Sequence, residues 1–513
     1  MTDELTIQLE SNIENITGQL GGGPDIITRR MHDAGNRPIA LLYISSIVDS
    51  NAINLLVMSI AVEKAEAREA VTSQQAFQQL MDGSLAAGNI RKLSSTHDVL
   101  LAILEGCTVI LMEGCDQALS VSTSGGDRRA VEESSTQAVV RGPKEGFTES
   151  IVTNTSLIRK KIKSIHLRMD YKLIGKQTRT TVAVVYMQGI AEDKIIKEVH
   201  RRLDAIDTDS ILESGYIEEF IEDKTFTPFP LLQNTERPDA IAAGLLEGQI
   251  AIIVDGTPFV LLAPVTFVKF FQSSEDYYQR FDIATFLRFI RFVSFLVSML
   301  VPSLYIAITT FHQEMLPTPL LISLAAQREG VPFPALIEAM LMELTFEILR
   351  EAGVRMPRII GSAMSIVGAL VLGQSAVQAG LVSASMVIVV SFTAISSFVI
   401  PSVNMGTAAR LIRFLMMFLA GTLGVFGIMT GMMILLAHLA GLRSFGVPYL
   451  TPLSPLEPGN LKDVFLRVPW WMMKRRPKYV DFGGTQRQTA KNQQTAKKSK
   501  QTQTDGENES GSK

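Results

Sequence analysis

From Ile359 to Ala409 the chain carries no Asp, Glu, Lys, Arg or His. This uncharged run does more than any other feature to narrow what the protein can fold into. A core helix of a soluble domain seldom runs beyond about 25 residues without a charged face, whereas a bilayer asks for about 20 apolar residues per crossing. The run therefore needs hydrocarbon as its solvent. Nearly all the charge of the 513-residue chain lies before Arg291 and after Arg443, and the overall 47% hydrophobic and 19% charged fractions hide this segregation.

Around that run the apolar segments are short or broken. Phe292 to Phe311 is uncharged and long enough to span, with Pro302 as a kink that membrane helices tolerate. A basic, aromatic approach precedes it, with Arg280, Arg288 and Arg291 among Phe281, Phe286 and Phe289. Met315 to Gln327, opened by Pro317 and Pro319, suits a half-helix or re-entrant segment. Ala335 to Glu351 is predicted amphipathic, with Leu336, Met340, Leu344 and Ile348 opposite Glu343, Glu347 and Glu351. Ile359–Leu372 and Leu381–Ile400 read as two spans joined by Gly373–Gly380. Leu411 to Leu442 holds Arg413 and glycines at 421, 424, 427 and 431. As one helix it would be roughly 45 Å long, too long for an upright span and short for two; with both flanking regions read as cytosolic, an even number of crossings is required, which favours a bent or hairpin form. Arginines at 280, 288, 291, 350, 355, 358, 410 and 413 flank one set of ends, and 312–319 and 373–380 lack Lys and Arg. The positive-inside rule then puts the N-terminal region, 328–358, 401–410 and the Lys474–Lys478 cluster on the cytosolic side.

The polar part before the membrane contains an internal duplication. Pro38–Tyr43 resembles Thr181–Tyr186, and Glu105-Gly106 and Glu113-Gly114 match Glu247-Gly248 and Asp255-Gly256, at offsets of 143 and 142 residues. Each copy reads as an apolar strand, helical segments and a hairpin whose glycine supplies the positive φ of a tight turn. Asp193 to Leu203 is legible as a helix with Ile195, Ile196, Val199 and Leu203 on one side. The expected fold class is an α/β soluble region of two related lobes plus an α-helical membrane domain of about four to six short or broken spans. Its boundaries are a mobile or short helical lead-in over 1–35, a first lobe over 36–123 and a basic connector over 124–174. A second lobe follows over 175–272, then the membrane domain over 273–442, a cytosolic segment over 443–482 and a disordered tail over 483–513. The run Leu157–Lys163 is expected as a solvated helix or membrane-surface contact rather than a nucleic-acid patch.

The residues argue against several function classes. A net charge of −3 disfavours a nucleic-acid binder. Two cysteines, Cys107 and Cys115, without a CxxC suggest reduced thiols and neither a disulfide framework nor a zinc site. The acidic Met1–Glu10 lacks the apolar core of a signal peptide. The six histidines show no metal-ligand spacing, and Gly21–Gly23 lacks the lysine and hydroxyl of a phosphate loop. No enzyme activity, cofactor or metal is expected.

Three features can be read for function. Gly361, Ser365, Ala369 and Gly373 form a small-residue stripe, favoured as a helix-packing face, with a narrow pore lining as the alternative. Glu338, Glu343, Glu347 and Glu351 are either the solvated face of a surface helix or, in an oligomer, a cation-attracting ring. Gln374 and Gln378 cap a turn or coordinate a permeating ion.

The chain resembles the A subunit of GerA-type spore germinant receptors from endospore-forming bacteria over about residues 36–480. The resemblance rests on Val140–Glu149 (VRGPKEGFTE), Val254–Phe259 (VDGTPF), Val331–Pro334 with Glu338, Gly373–Gly380 (GQSAVQAG) and Pro448–Pro452 (PYLTP). It implies a multi-pass protein of the spore inner membrane, self-associating and partnered by a permease-like B subunit and a lipoprotein C subunit. It further implies nutrient-triggered germination that begins with cation release, with the A subunit providing the conducting path. Gly361, Ser365, Ala369, Gly373, Gln374, Glu338, Glu343 and Glu347 are then the candidate ion path. A non-conducting scaffold coupling the B subunit to later steps is the second reading. A secondary transporter is the third, disfavoured because the spans show no repeat among themselves.

Overall fold

The computed structural model describes residues 4–32, 36–63, 72–81, 89–125, 134, 137, 139–355, 373–456, 461–473 and 476. These form two compact units, one built from the chain up to Glu222 with Leu232–Val265, the other from Asp223–Leu231 with Thr266–Met473.

The first unit contains two five-stranded antiparallel sheets of identical strand order. Helix α1 (Leu9–Leu20) and strands β1 (Ile26–His32) and β2 (Pro38–Ile44) lead into α2 (Ser50–Glu63), α3 (Ser73–Gln79), β3 (Ile90–Leu93), α4 (Thr96–Leu104), β4 (Cys107–Met112) and β5 (Ala118–Ser122). The second set repeats them as α5 (Ile151–Lys161), β6 (Leu167–Ile174), β7 (Thr180–Met187), α6 (Asp193–Asp204), α7 (Ser214–Ile221), β8 (Gln233–Thr235), α8 (Pro238–Leu246), β9 (Ile250–Val254) and β10 (Val260–Ala263). The orders are β1-β2-β4-β5-β3 and β6-β7-β9-β10-β8. Central strands such as β2 are apolar on consecutive residues because both faces are covered. Ala40, Leu42 and Ile44 meet α1 and α4, while Ile39 and Leu41 meet α2 and α3.

The duplication reaches further than the matching segments reveal. Asn12 accepts from the Thr6 amide (2.9 Å) and donates to the Thr6 carbonyl (2.6 Å). Asn154 does the same with Thr148, at 2.8 and 2.6 Å. The hairpin carboxylate Glu113 accepts from the Leu9 amide (2.8 Å), and Asp255 from the Ile151 amide (3.0 Å), so each hairpin caps the first helix of its own lobe. The adjoining turn glycines, Gly114 (φ 81°) and Gly256 (φ 93°), take the left-handed conformation that glycine adopts without steric cost. Every one of these pairs is offset by 142 residues. Two stretches that the sequence pattern sets outside the lobes, 1–35 and 124–174, thus hold α1 with β1 and α5 with β6, each packed into a sheet. Their charge concealed them: Arg29 and Arg30 sit on an edge strand, and the lysines of 157–163 follow the buried turn of α5, where they complement the helix dipole.

Arg159, within that basic run, is buried and pairs with buried Asp25 at 2.7 Å, tying the second lobe to the first. On α7, burial and the neighbouring Glu222 and Glu213 raise the Glu218 carboxyl to about 7.

The second unit is helical. Helix α9 (Phe281–Thr310) is followed by α10 (Thr318–Arg328), α11 (Ala335–Arg355), α12 (Gly373–Gln378), α13 (Ala384–Phe398) and α14 (Val403–Gly441). Among the described residues, α9 and α14 are long and apolar enough to cross a membrane. Helix α14 is not straight. Gly424 takes φ 63°, ψ −143°, a conformation essentially reserved for glycine, and the chain doubles back there. A Cβ on Gly427 would fall 2.2 Å from the Leu419 carbonyl oxygen, and one on Gly431 would fall 2.7 Å from the Met416 sulfur. A straight helix would hold those pairs about 12 and 22 Å apart. The element is therefore a hairpin of arms 403–423 and 425–441, and Gly427 and Gly431 pack the arms together, as the spacing suggests. Ile306, Ala307, Ala339, Met386, Met417, Ala420 and Ile428 form the common core of α9, α11, α13 and both arms. The spans read over 359–372 lie outside the described residues.

Arg159→Ala leaves Asp25 buried without a counter-ion and is expected to destabilise the first unit by about 3–5 kcal/mol, read as lost amide-exchange protection in α1 and α5. Glu218 gives a pH signature of the opposite sign to an ordinary paired carboxylate. Its folded pKa lies above the unfolded value, so the native state binds the extra proton and local stability falls as pH rises from about 4.5 to 7. Exchange of residues 211–222, corrected for intrinsic chemistry, should speed up over that window, and Glu218→Gln should abolish the dependence.

Candidate functional site

Helix α11 runs along the first arm of α14. Glu343 and Glu347, one turn apart, face Arg413 and Arg410, three residues apart on the opposing helix. Arg413 meets Glu343 at 2.9 Å with both side chains fully buried, and it reaches Glu347 at 3.5 Å. Arg410 meets Glu347 at 2.6 Å, and Arg350 approaches the same carboxylate at 3.8 Å. Low dielectric makes such pairs strong in attraction and costly in desolvation, so they contribute little net stability but are expensive to break singly. Their geometry fixes the register of the two helices.

Glu338 sits apart from this cluster, in a second polar group. It is fully buried, and one carboxylate oxygen accepts from both the backbone N–H and the hydroxyl of Ser383, each at 2.6 Å. The Arg328 guanidinium stands 3.9 Å from the other oxygen. Ser385 donates its N–H to Gln327 at 3.2 Å and shares a hydroxyl hydrogen bond of 2.8 Å with Tyr305. This group joins α9, α10, α11 and the start of α13. Glu351 is in neither group; it pairs with Arg355 on the exposed surface.

The structure thus brings Glu343 and Glu347 together, holds Glu338 in a separate polar group, and leaves Gln374 and Gln378 exposed on the short α12. Gly373 has only Val387 near the position of a Cβ. Gly361, Ser365 and Ala369 lie outside the described residues. Sequence reasoning took Arg288, Arg291, Arg410 and Arg413 as membrane-flanking charges and did not find their partners. Arg288 and Arg291 in fact converge on buried Asp276 at 3.0 and 2.7 Å, with Arg288 also on Asp463 at 2.8 Å. The available signal was Arg413, a charge inside an otherwise apolar run, which requires a partner.

Elsewhere in this unit Tyr449, from the PYLTP run, is buried and donates to the Pro230 carbonyl at 2.8 Å; burial raises its phenol pKa well above the ordinary value. In the first unit a cleft of about 610 Å³ between the lobes is lined by Gln19, His166, Arg168 and Gln188 among others. Arg168 there already donates to the carbonyls of Gln19 and Ile165. No cluster with metal-ligating potential exists among the described residues.

The chain thus has two parts, a duplicated α/β unit and a helical unit that holds buried ion pairs and two helices long and apolar enough to cross a membrane. Comparison with known proteins specifies it further. The sequence profile of the Bacillus/Clostridium GerA spore germination protein family matches residues 14–479. Spore germination protein KA of Bacillus subtilis is 49% identical over 474 residues, covering 92% of this chain and 86% of its own. The membrane protein YfkQ of the same organism is 44% identical over 485 residues, covering 93% and 92%. A crystal structure of the N-terminal domain of the A subunit of the Bacillus megaterium spore germinant receptor GerK3 is similar at 36% identity, over 52% of this chain and 98% of that one, with a TM-score of 0.41. The chain belongs to the GerA spore germination family, as an A subunit of the germinant-receptor type, and that family is associated with the spore membrane.

Glu343→Ala strands Arg413 in an apolar bundle and is expected to cost about 3–5 kcal/mol, visible as a lower Tm of the detergent-solubilised protein. The double change Glu343→Leu with Arg413→Met should recover most of that loss, because both charges are then removed together.

Proposed function

We propose that this chain is the A subunit of a nutrient-responsive germination receptor, acting as an oligomeric, ligand-gated cation-release channel with permease-like B and lipoprotein C partners. It resides as a multi-pass protein in the spore inner membrane with its N-terminal unit on the core side. Family membership supports the role in germination. The arrangement of arginines supports the orientation. The antiparallel pairing of α11 with the first arm of α14 brings Arg350 and Arg410 toward one end of the bundle, and the Arg288 and Arg291 end of α9 lies there too, opposite the Gly424 tip that meets Phe311 and His312.

The observation that carries the gating role is the charge cluster on α11. A helix held to its neighbour by buried pairs has discrete rather than graded arrangements, which suits a switch. In this reading the small-residue stripe Gly361, Ser365, Ala369 and Gly373, with Gln374, borders the ion path. Glu338, Glu343 and Glu347 lie on α11, whose pairings hold the path closed. Enlarging Gly361, Ser365 or Ala369 to Leu should slow monovalent-cation release from germinating spores; normal release in all three would remove the pore assignment.

A non-conducting scaffold is the second reading, favoured by the same carboxylates. Glu338, Glu343 and Glu347 are engaged within one chain, so they have partners without a permeating ion. Purified receptor in liposomes separates the two, since a scaffold passes no cation with any nutrient present.

A further inference from the structure

The first turns of α9 are gripped by a segment from far along the chain. Arg467 N–H donates to the Thr285 hydroxyl at 3.1 Å, and Asp463 pairs with Arg288 at 2.8 Å and accepts from the Tyr277 hydroxyl at 2.8 Å. The Phe465 ring lies 4.9 Å from that of Phe292, and the Trp470 indole N–H donates to the Tyr277 carbonyl at 3.3 Å. The polar side of residues 461–473 is thus spent on α9 and the turn before it. Its apolar side is not. Leu466 is 62% exposed, Trp470 42%, Trp471 50% and Met472 40%, and on the adjoining turns of α9 Phe286 and Phe289 are 62% and 63% exposed.

We propose that this face is an interfacial collar, in which residues 461–473 lie in the headgroup layer of the bilayer and fix the depth at which α9 enters it. Four observations select lipid as the occupant. The segment packs along one face of the first turns of a helix that is itself long and apolar enough to cross a membrane. Tryptophan is a residue the headgroup layer favours, and exposed leucine, methionine and phenylalanine side chains beside it suit the acyl boundary. Arg288 and Arg291, which would otherwise snorkel to the headgroups, are bound to Asp276 and Asp463, so anchoring falls to the rings. Finally, Lys462 on the same segment is exposed, a charge suited to anionic headgroups.

This inference rests on the membrane reading of α9. The protein's only tryptophans, two in number, both belong to the segment, so intrinsic fluorescence reports on it alone. The full chain would be reconstituted into phosphatidylglycerol–phosphatidylcholine vesicles carrying a spin-label quencher either near the glycerol or at mid-chain, and Trp470→Phe and Trp471→Phe would assign the two signals. The expected result is quenching at least about twofold stronger by the shallow label than by the deep one, with weak quenching by aqueous iodide. Strong iodide quenching without lipid quenching would place the segment in water and overturn the collar. Insensitivity to both would show a protein surface covering it, with the same consequence. Retention of the chain in vesicles after alkaline carbonate extraction separates these failures from a failure of the membrane reading itself, since a chain that washes off would overturn both.

Discussion

The helical unit depends on the Arg413–Glu343 pair. Two full charges lie fully buried inside the bundle, beside a core cluster of Ile, Ala and Met side chains, and neither has water to fall back on. Such a pair tolerates only the geometry in which the two groups meet, so it fixes α11 against α14 more sharply than packing among Met, Ala and Ile does, since those contacts change little when helices slide. The hairpin at Gly424 then packs on the arm so fixed. The Glu338–Ser383 group sets the opposite end of α11 against α13. Ion pairs and hydrogen bonds specify the arrangement; dispersion and the close approach of Gly427 and Gly431 fill it in.

The first unit meets the same problem with backbone chemistry. Each lobe closes its first helix with a carboxylate from its own hairpin turn, and each repeats an Asn–Thr tie ahead of that helix. The lobes are joined through Asp25 and Arg159, which belong to no repeated pair. The duplicated parts therefore build the lobes, and a residue peculiar to one copy sets how they meet.

What could be read from the chain follows from how each signal is written. Apolar strands at 38–43 and 181–186 and the Glu-Gly and Asp-Gly turns are local, and they predicted β2, β7 and both hairpins. The helix from Asp193 is local too: of the four positions its periodicity picked out, Ile195, Val199 and Leu203 are buried and Ile196 is half-buried. Residues 9–32 and 151–174 escaped notice because β1 is a basic edge strand and α5 ends in lysines; only the sheet gives them an inside. A bent or hairpin form for 411–442 followed from its length and from the even number of crossings that the loop charges require. The pairing of Arg410 and Arg413 with Glu347 and Glu343 did not, because 63 and 70 residues separate partners whose helices meet only in three dimensions. The family motifs, in contrast, pointed to the germination receptor without any structural step.

The reversal at Gly424 has a mechanical consequence. A helix that crosses a bilayer once can carry a push from one face to the other. The α14 hairpin enters and leaves at the same end, and its tip is a single residue with no loop beyond it. Where this bundle sits in a bilayer, displacement of one arm is passed to the other as a sideways shift at their shared end rather than to the opposite face, so the element works as a lever rather than a rod.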